Sequence, residues 1–181
     1  ALANELTKDR VAANGRIAER KAVLAALGAA APTPEDIDST YEREVTVLEA
    51  APGGLASGPS GAPAPLYRLG AGSEARYAAR ISGSGLWGSI SAILAVDSRV
   101  ERIVGLELVS QNETPGLGGR IGESWFTAQF RGEAVEAGSI RLRQGAGTGD
   151  ADPENGELDA VTGATLTSAA VERMVNEGLA A

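Results

Sequence analysis

Apolar positions recur at helical spacing near both ends of this chain and alternate with polar ones between. Residues 2–27 are rich in Ala, Glu, Lys, Arg and Leu and contain no proline; Ile17, Leu24 and Leu27 fall on one face, which predicts a helix ending at Gly28. Pro32 and Pro34 enforce the stop. Residues 41–48 alternate, Val45 and Val47 against Glu44 and Thr46, and read as a strand. Residues 51–65 concentrate Gly, Pro, Ser and Ala without a periodic apolar face, which marks an exposed excursion within one domain.

Short extended segments follow at 66–69, 75–81, 90–96 and 104–109. Ile90, Ala92, Leu94 and Val96 hold one face, and Asp97-Ser98-Arg99 supplies a reversal, so 90–96 and 104–109 are expected to pair antiparallel. Ile121, Trp125, Phe126 and Phe130 suit a short amphipathic helix, and residues 140–143 a further strand. Val171, Met174, Val175 and Leu179 then recur at helical spacing to the end. This order predicts an α+β fold: a curved antiparallel sheet with an N-terminal and a C-terminal helix packed on it.

Composition narrows the chemistry. The 181 residues, 43% hydrophobic, suffice for one domain with a real core. A formal charge of −8 argues against nucleic acid or anionic lipid as a partner. Cysteine and histidine are absent, which removes disulfides, thiolate nucleophiles, iron–sulfur clusters, imidazole-ligated haem and Ser-His-Asp triads. A redox role therefore needs an organic cofactor. The longest small-apolar run, residues 22–31, falls well short of the roughly 20 residues a spanning helix needs.

The segment Asp159-Ala-Val-Thr-Gly-Ala-Thr-Leu-Thr-Ser168 places Thr165 behind a small-residue turn and at the start of the last helix. A helix start leaves backbone N–H groups free and favours an anion. The residues alone leave two readings open, an anion site or a capping cluster made by Thr162, Thr165, Thr167 and Ser168. As a string, DAVTGAT resembles the Asp-x-x-(Ser/Thr)-Gly-Ala-(Ser/Thr) acceptor motif of the FMN-binding domain family, in which the last hydroxyl is esterified to the phosphate of FMN. Within that family the chain resembles the flavin-carrying G subunit of Rnf-type electron-transport complexes and its relative, the C subunit of the sodium-pumping NADH:quinone reductase.

Two further segments carry the resemblance. Asn112-Glu-Thr-Pro-Gly-Leu-Gly118 contains the family's Glu-Thr-Pro-Gly-Leu-Gly signature; by itself it is an ordinary Pro-Gly turn. Ser82-Gly-Ser-Gly-Leu-Trp-Gly-Ser89 resembles the glycine-rich Leu-Trp-Gly turn, and by itself reads equally as a β-bulge with a core tryptophan. Its Gly83-Ser-Gly85 start is not a dinucleotide fingerprint, because a strand and not a helix follows. The chain departs from the family at Gln111, where histidine is usual; Gln can still hydrogen-bond but cannot titrate. Alternation puts Arg141 and Arg143 on one face, which reads as solvated, with a phosphate-facing role as the alternative; the acidic loop 150–157 reads as solvent-facing.

The resemblance implies a cofactor site made of Thr165 as the covalent FMN attachment, with Thr162, Gly163, Ala164, Leu166, Thr167 and Ser168 around it. Glu113, Thr114 and Leu117 become ring contacts, Gly118, Leu86 and Trp87 join the cofactor site, and Glu113 near the ring is expected to lower its potential. Asp159 belongs to the motif read by a flavin transferase, which uses FAD as donor. The implied domain organisation is 1–30 as a helix following a missing membrane anchor and 31–181 as a single FMN-binding domain. The implied role is electron relay among the redox subunits of an ion-translocating membrane complex, outside the cytoplasm, with no independent catalytic site. A free-standing flavinylated shuttle, or a non-redox envelope binding module, are the alternatives.

Overall fold

The structure, a computed structural model, describes residues 2–30, 33–48, 65–145 and 149–180, with side chains of the first helix from residue 14 onward. The predicted excursion at 51–65, except Pro65, lies outside the described residues, as does Pro32. Among the described residues no helix is long and apolar enough to cross a membrane.

Helix α1 (Leu2–Ala26) ends as predicted. Gly28 takes φ +69°, its N–H bonds the Ala25 carbonyl at 3.1 Å and the Ala29 N–H bonds the Leu24 carbonyl at 3.0 Å, the two bonds of a Schellman cap. Arg76 donates to the Leu27 carbonyl at 2.8 Å. Among the side chains described from residue 14 onward, the buried ones gather at the end of α1 and just beyond it, in Val23, Leu24, Ala26 and Leu27, whereas Ile17 is 39% exposed and does not share that face.

The segment read as a strand from Tyr41 divides. Residues Ile37–Glu44 form a short helix, α2, and only Val45–Leu48 form strand β1. Ile37 and Thr40 are buried and Tyr41 packs beside them, at the i, i+3, i+4 spacing of a helix face. Alternation begins only at Val45.

Strands β2 (Leu66–Leu69), β3 (Arg76–Ser84), β4 (Ser89–Asp97) and β5 (Ile103–Ser110) complete a five-stranded antiparallel sheet in sequential order. The predicted pairing of β4 with β5 is present, with Leu94 opposite Leu106. Strand β4 is buried on both faces. Ala92, Leu94 and Val96 join one core with helix α4 (Thr165–Ala180); Ile93 and Ala95 join a second core with α1 and α2. The sheet is thus the middle of three layers, and β4 is its hydrophobic spine.

Helix α3 (Ser124–Ala128) is shorter than its aromatic pattern predicts. Ile121 lies in a preceding 3₁₀ turn and Phe130 in the turn after it, yet Ile121, Phe126 and Phe130 are all fully buried in the α4-side core. Strand β6 (Arg141–Arg143) pairs in parallel with β7 (Glu157–Asp159), a strand that three residues of Glu-Leu-Asp do not announce. The second sheet is therefore an exception to the antiparallel expectation.

The acidic loop is solvent-facing at Asp152 and Glu154, but it covers Glu133, which is 1% exposed. Burial pushes the Glu133 carboxyl up to about 7; Asp150 and Asp152 add to the shift, while the Gly156 N–H and Arg102 oppose it. The folded chain therefore holds a proton that the unfolded chain has lost between about pH 4.5 and 7, and stability falls as pH rises through that window. Glu133→Gln is expected to unfold at higher urea than wild type at pH 8, by about 1–3 kcal/mol, with the gain disappearing near pH 4. An equal difference at both pH values would place the proton elsewhere.

Candidate functional site

Three loops predicted to act together meet at one groove of about 260 Å³. The hairpin between β3 and β4 contributes Leu86 and Trp87; the loop after β5 contributes Glu113, Thr114, Leu117 and Gly118; the start of α4 contributes Gly163, Ala164, Thr165, Leu166 and Thr167. Strand β3 runs through Ser84, so the hairpin loop is only Gly85 to Gly88, closed by a 2.7 Å bond from the Gly85 N–H to the Gly88 carbonyl. Trp87 is 70% exposed, which excludes the reading of a core tryptophan, and the irregularities of the sheet lie instead between β4 and β5.

The start of α4 is built for an anion. Residues 161–164 make a turn closed by the Ala164 N–H on the Val161 carbonyl at 3.0 Å, with Gly163 at φ +79° in the third position, as a type II turn requires. The Ala164 carbonyl accepts the first helical bond, from Ser168 N–H at 3.0 Å. The N–H groups of Thr165, Leu166 and Thr167 precede that bond and have no acceptor among the described residues. They point out of the helix end together with its positive dipole.

The four hydroxyls of the motif have different environments. Thr167 is buried and donates to Glu113 Oε2 at 2.6 Å; Ser168 is buried and accepts from the Val161 N–H at 3.0 Å. Neither caps α4, so the capping cluster is not what they form. Thr162 and Thr165 are exposed. Thr165 stands at the first helical position and, with Gly163, borders both the first groove and a second groove of about 230 Å³ that contains Thr162 and Ser168.

Sequence reasoning did not find the second groove's far wall, Leu142, Gln144 and Glu172, nor the ties that hold it. Glu172 accepts from the Leu142 N–H at 2.5 Å, and Asn176 bonds the Ile140 backbone through both its oxygen and its nitrogen. Gln129, buried behind α3, accepts from Asp159 N–H at 2.8 Å and donates to its carbonyl at 2.9 Å. Polar residues inside an aromatic stretch or on a helix give no local signal of such long-range roles. Asp159 itself lies in β7, outside both grooves, its carboxylate against the Gly145 backbone.

Arg141 and Arg143 are exposed and line neither groove; Arg143 pairs with Glu157 at 2.6 Å. The solvated reading holds for both. Arg143→Ala is expected to change stability by less than about 1 kcal/mol in urea unfolding, and a larger loss would mean the pair does more than a surface pair does.

The rim of the first groove is apolar. Leu86, Trp87, Leu117 and Leu166 are between 49% and 70% exposed, an unusual display for four large side chains around one concavity and suited to covering a flat, largely apolar ligand. The residues present therefore fit a phosphorylated aromatic group: an apolar rim for the ring, free amides for the phosphate and the exposed Thr165 hydroxyl beside them.

The FMN-binding domain family model matches residues 85–180, a span containing all three loops. The C subunit of the Na(+)-translocating NADH-quinone reductase from Neisseria meningitidis serogroup A is 38% identical over 92 residues, 50% of this chain and 35% of that protein. The corresponding Vibrio anguillarum protein is 34% identical over 94 residues, 51% and 36% respectively. The match thus spans about a third of the length of these relatives. The crystal structure of Shewanella oneidensis NqrC superposes with a TM-score of 0.76 at 20% identity, covering 91% of both chains. That of the Na(+)-translocating NADH-quinone reductase C subunit from Parabacteroides distasonis gives 0.69 at 22% identity, covering 93% of this chain and 92% of that one, so the fold is shared. With its motif segments assembled around one groove and its matched span containing them all, the chain belongs to the FMN-binding domain family.

Proposed function

We propose that this chain carries FMN in phosphoester linkage to Thr165 and relays electrons as a subunit of an ion-translocating membrane oxidoreductase, its flavin domain on the extracytoplasmic side. The observation that carries the reading is the position of Thr165: an exposed hydroxyl at the first turn of α4, beside unpaired amides and on the edge of an apolar groove. Family membership and likeness to the C subunit of the sodium-translocating reductase support it.

Attachment requires the Thr165 oxygen to form a bond to the FMN phosphorus of FAD, with the pyrophosphate bridge breaking, AMP leaving and the hydroxyl proton passing to a base of the transferase. Gly163 and Ala164 keep the approach to that oxygen free of bulk. The Thr165, Leu166 and Thr167 amides then hold the phosphate, and Leu86, Trp87, Leu117 and Leu166 shelter the ring. The bound flavin supplies one-electron and two-electron redox chemistry, for which this chain has no side chain of its own. A tether keeps its local concentration constant where free flavin is dilute.

The test of the relay role is isolation of the native, membrane-derived protein in mild detergent. Co-isolation of other membrane redox subunits is the expected result; recovery of the flavinylated chain alone would favour a shuttle.

A further inference from the structure

The Glu113 carboxyl is 5% exposed, and no Lys or Arg among the described residues pairs with it. Its two oxygens are engaged by two other segments. Oε1 accepts from the Trp87 N–H in the hairpin at 3.0 Å, and Oε2 accepts from the Thr167 hydroxyl in the first turn of α4 at 2.6 Å. Its own N–H donates to Gln111 Oε1 at 2.6 Å, which fixes the loop that bears it. Glycines enclose the group: a Cβ on Gly118 would lie 2.8 Å from Oε2 and 2.5 Å from Thr167 Oγ1, and one on Gly85 would press on Oε1. A buried carboxylate with this enclosure is costly to leave unpaired, so the two donors and the carboxylate hold one another in place.

We propose that Glu113 is the positioning residue of this site: it clamps the Trp87 hairpin and the Leu117 loop onto the helix turn that bears Thr165, and it shapes the flavin groove through those contacts and not through its charge on the ring. The proposal rests on the flavin reading for its functional consequence, but the clamp is present in the chain itself. Glutamine preserves it, because its carbonyl accepts from Trp87 N–H and its amide donates to Thr167 Oγ1, whose hydroxyl reverses its role. Alanine removes both bonds.

Two measurements test this. In the flavin-free protein, amide exchange at Trp87 is expected to quicken at least about tenfold in Glu113→Ala and to stay near wild type in Glu113→Gln. In protein loaded by a flavin transferase, the visible circular dichroism of the attached flavin is expected to be lost in Glu113→Ala and retained in Glu113→Gln. If Glu113→Ala does not fold, Thr167→Val, which keeps the carboxylate, is expected to weaken the dichroism. Wild-type exchange and dichroism in Glu113→Ala, or unchanged dichroism in Thr167→Val, would overturn the clamp. Glu113→Gln behaving like Glu113→Ala would overturn it in favour of charge. The exchange measurement decides the clamp even if wild type takes up no flavin, so the two readings fail separately.

Discussion

Thr165→Ala is expected to abolish the flavin mass adduct that survives denaturation, when wild type and variant are each co-expressed with a flavin transferase. The loss should be complete, because among the four motif hydroxyls only Thr165 is both exposed and on the first groove. Thr167 and Ser168 are buried and committed to Glu113 and to the Val161 N–H, and Thr162 lines the second groove and not the first. Thr162→Ala and Ser168→Ala should therefore keep the adduct, and Thr165→Ser should restore it. Since Thr165 is exposed, its replacement should alter stability by no more than about 0.5 kcal/mol, so unfolding does not explain the loss. An adduct persisting in Thr165→Ala would move the attachment to another residue.

Phe126→Ala is expected to cost about 3–5 kcal/mol of stability, measured by urea unfolding of the flavin-free protein. Phe126 is fully buried in the core shared with α4, and it meets Trp125 and Phe130 edge-to-face at 5.6 Å each. This core also contains Val161 and Ala164, so the turn before Thr165 rests on it. A loss below about 1 kcal/mol would mean the core collapses around the missing ring, contrary to a close-packed foundation for the turn before Thr165.

What the sequence disclosed depended on how local the signal was. The end of α1 at Gly28 was legible because a left-handed glycine after a helix pattern is a one-residue signature. The β4–β5 hairpin was legible because alternation and the Asp97-Ser98-Arg99 reversal are contiguous. Helix α2 was misread because Val45 and Val47 extended the strand pattern back over Tyr41, whose burial follows helical spacing with Ile37. Strand β7 was invisible because its pairing with β6 is parallel, short and joined by a long connection.

The site divides along the same line. Its three segments stood out as strings, and the fold brings Leu86, Trp87, Glu113, Thr114, Leu117 and Gly118 to the Thr165 turn. The inward commitment of the Glu113 oxygens, the clasp of Gln129 on Asp159 and the wall made by Glu172 and Gln144 all pair residues far apart in sequence. No periodicity encodes such pairs. Only the three-dimensional arrangement shows which of the four motif hydroxyls are spent internally and which face outward.

The most direct measurement is peptide mapping by mass spectrometry of the wild-type protein after co-expression with a flavin transferase. The account predicts one FMN per chain, retained through denaturation and located by fragmentation at Thr165. An unshifted mass in the presence of active transferase, or a flavin located at any other residue, would contradict it.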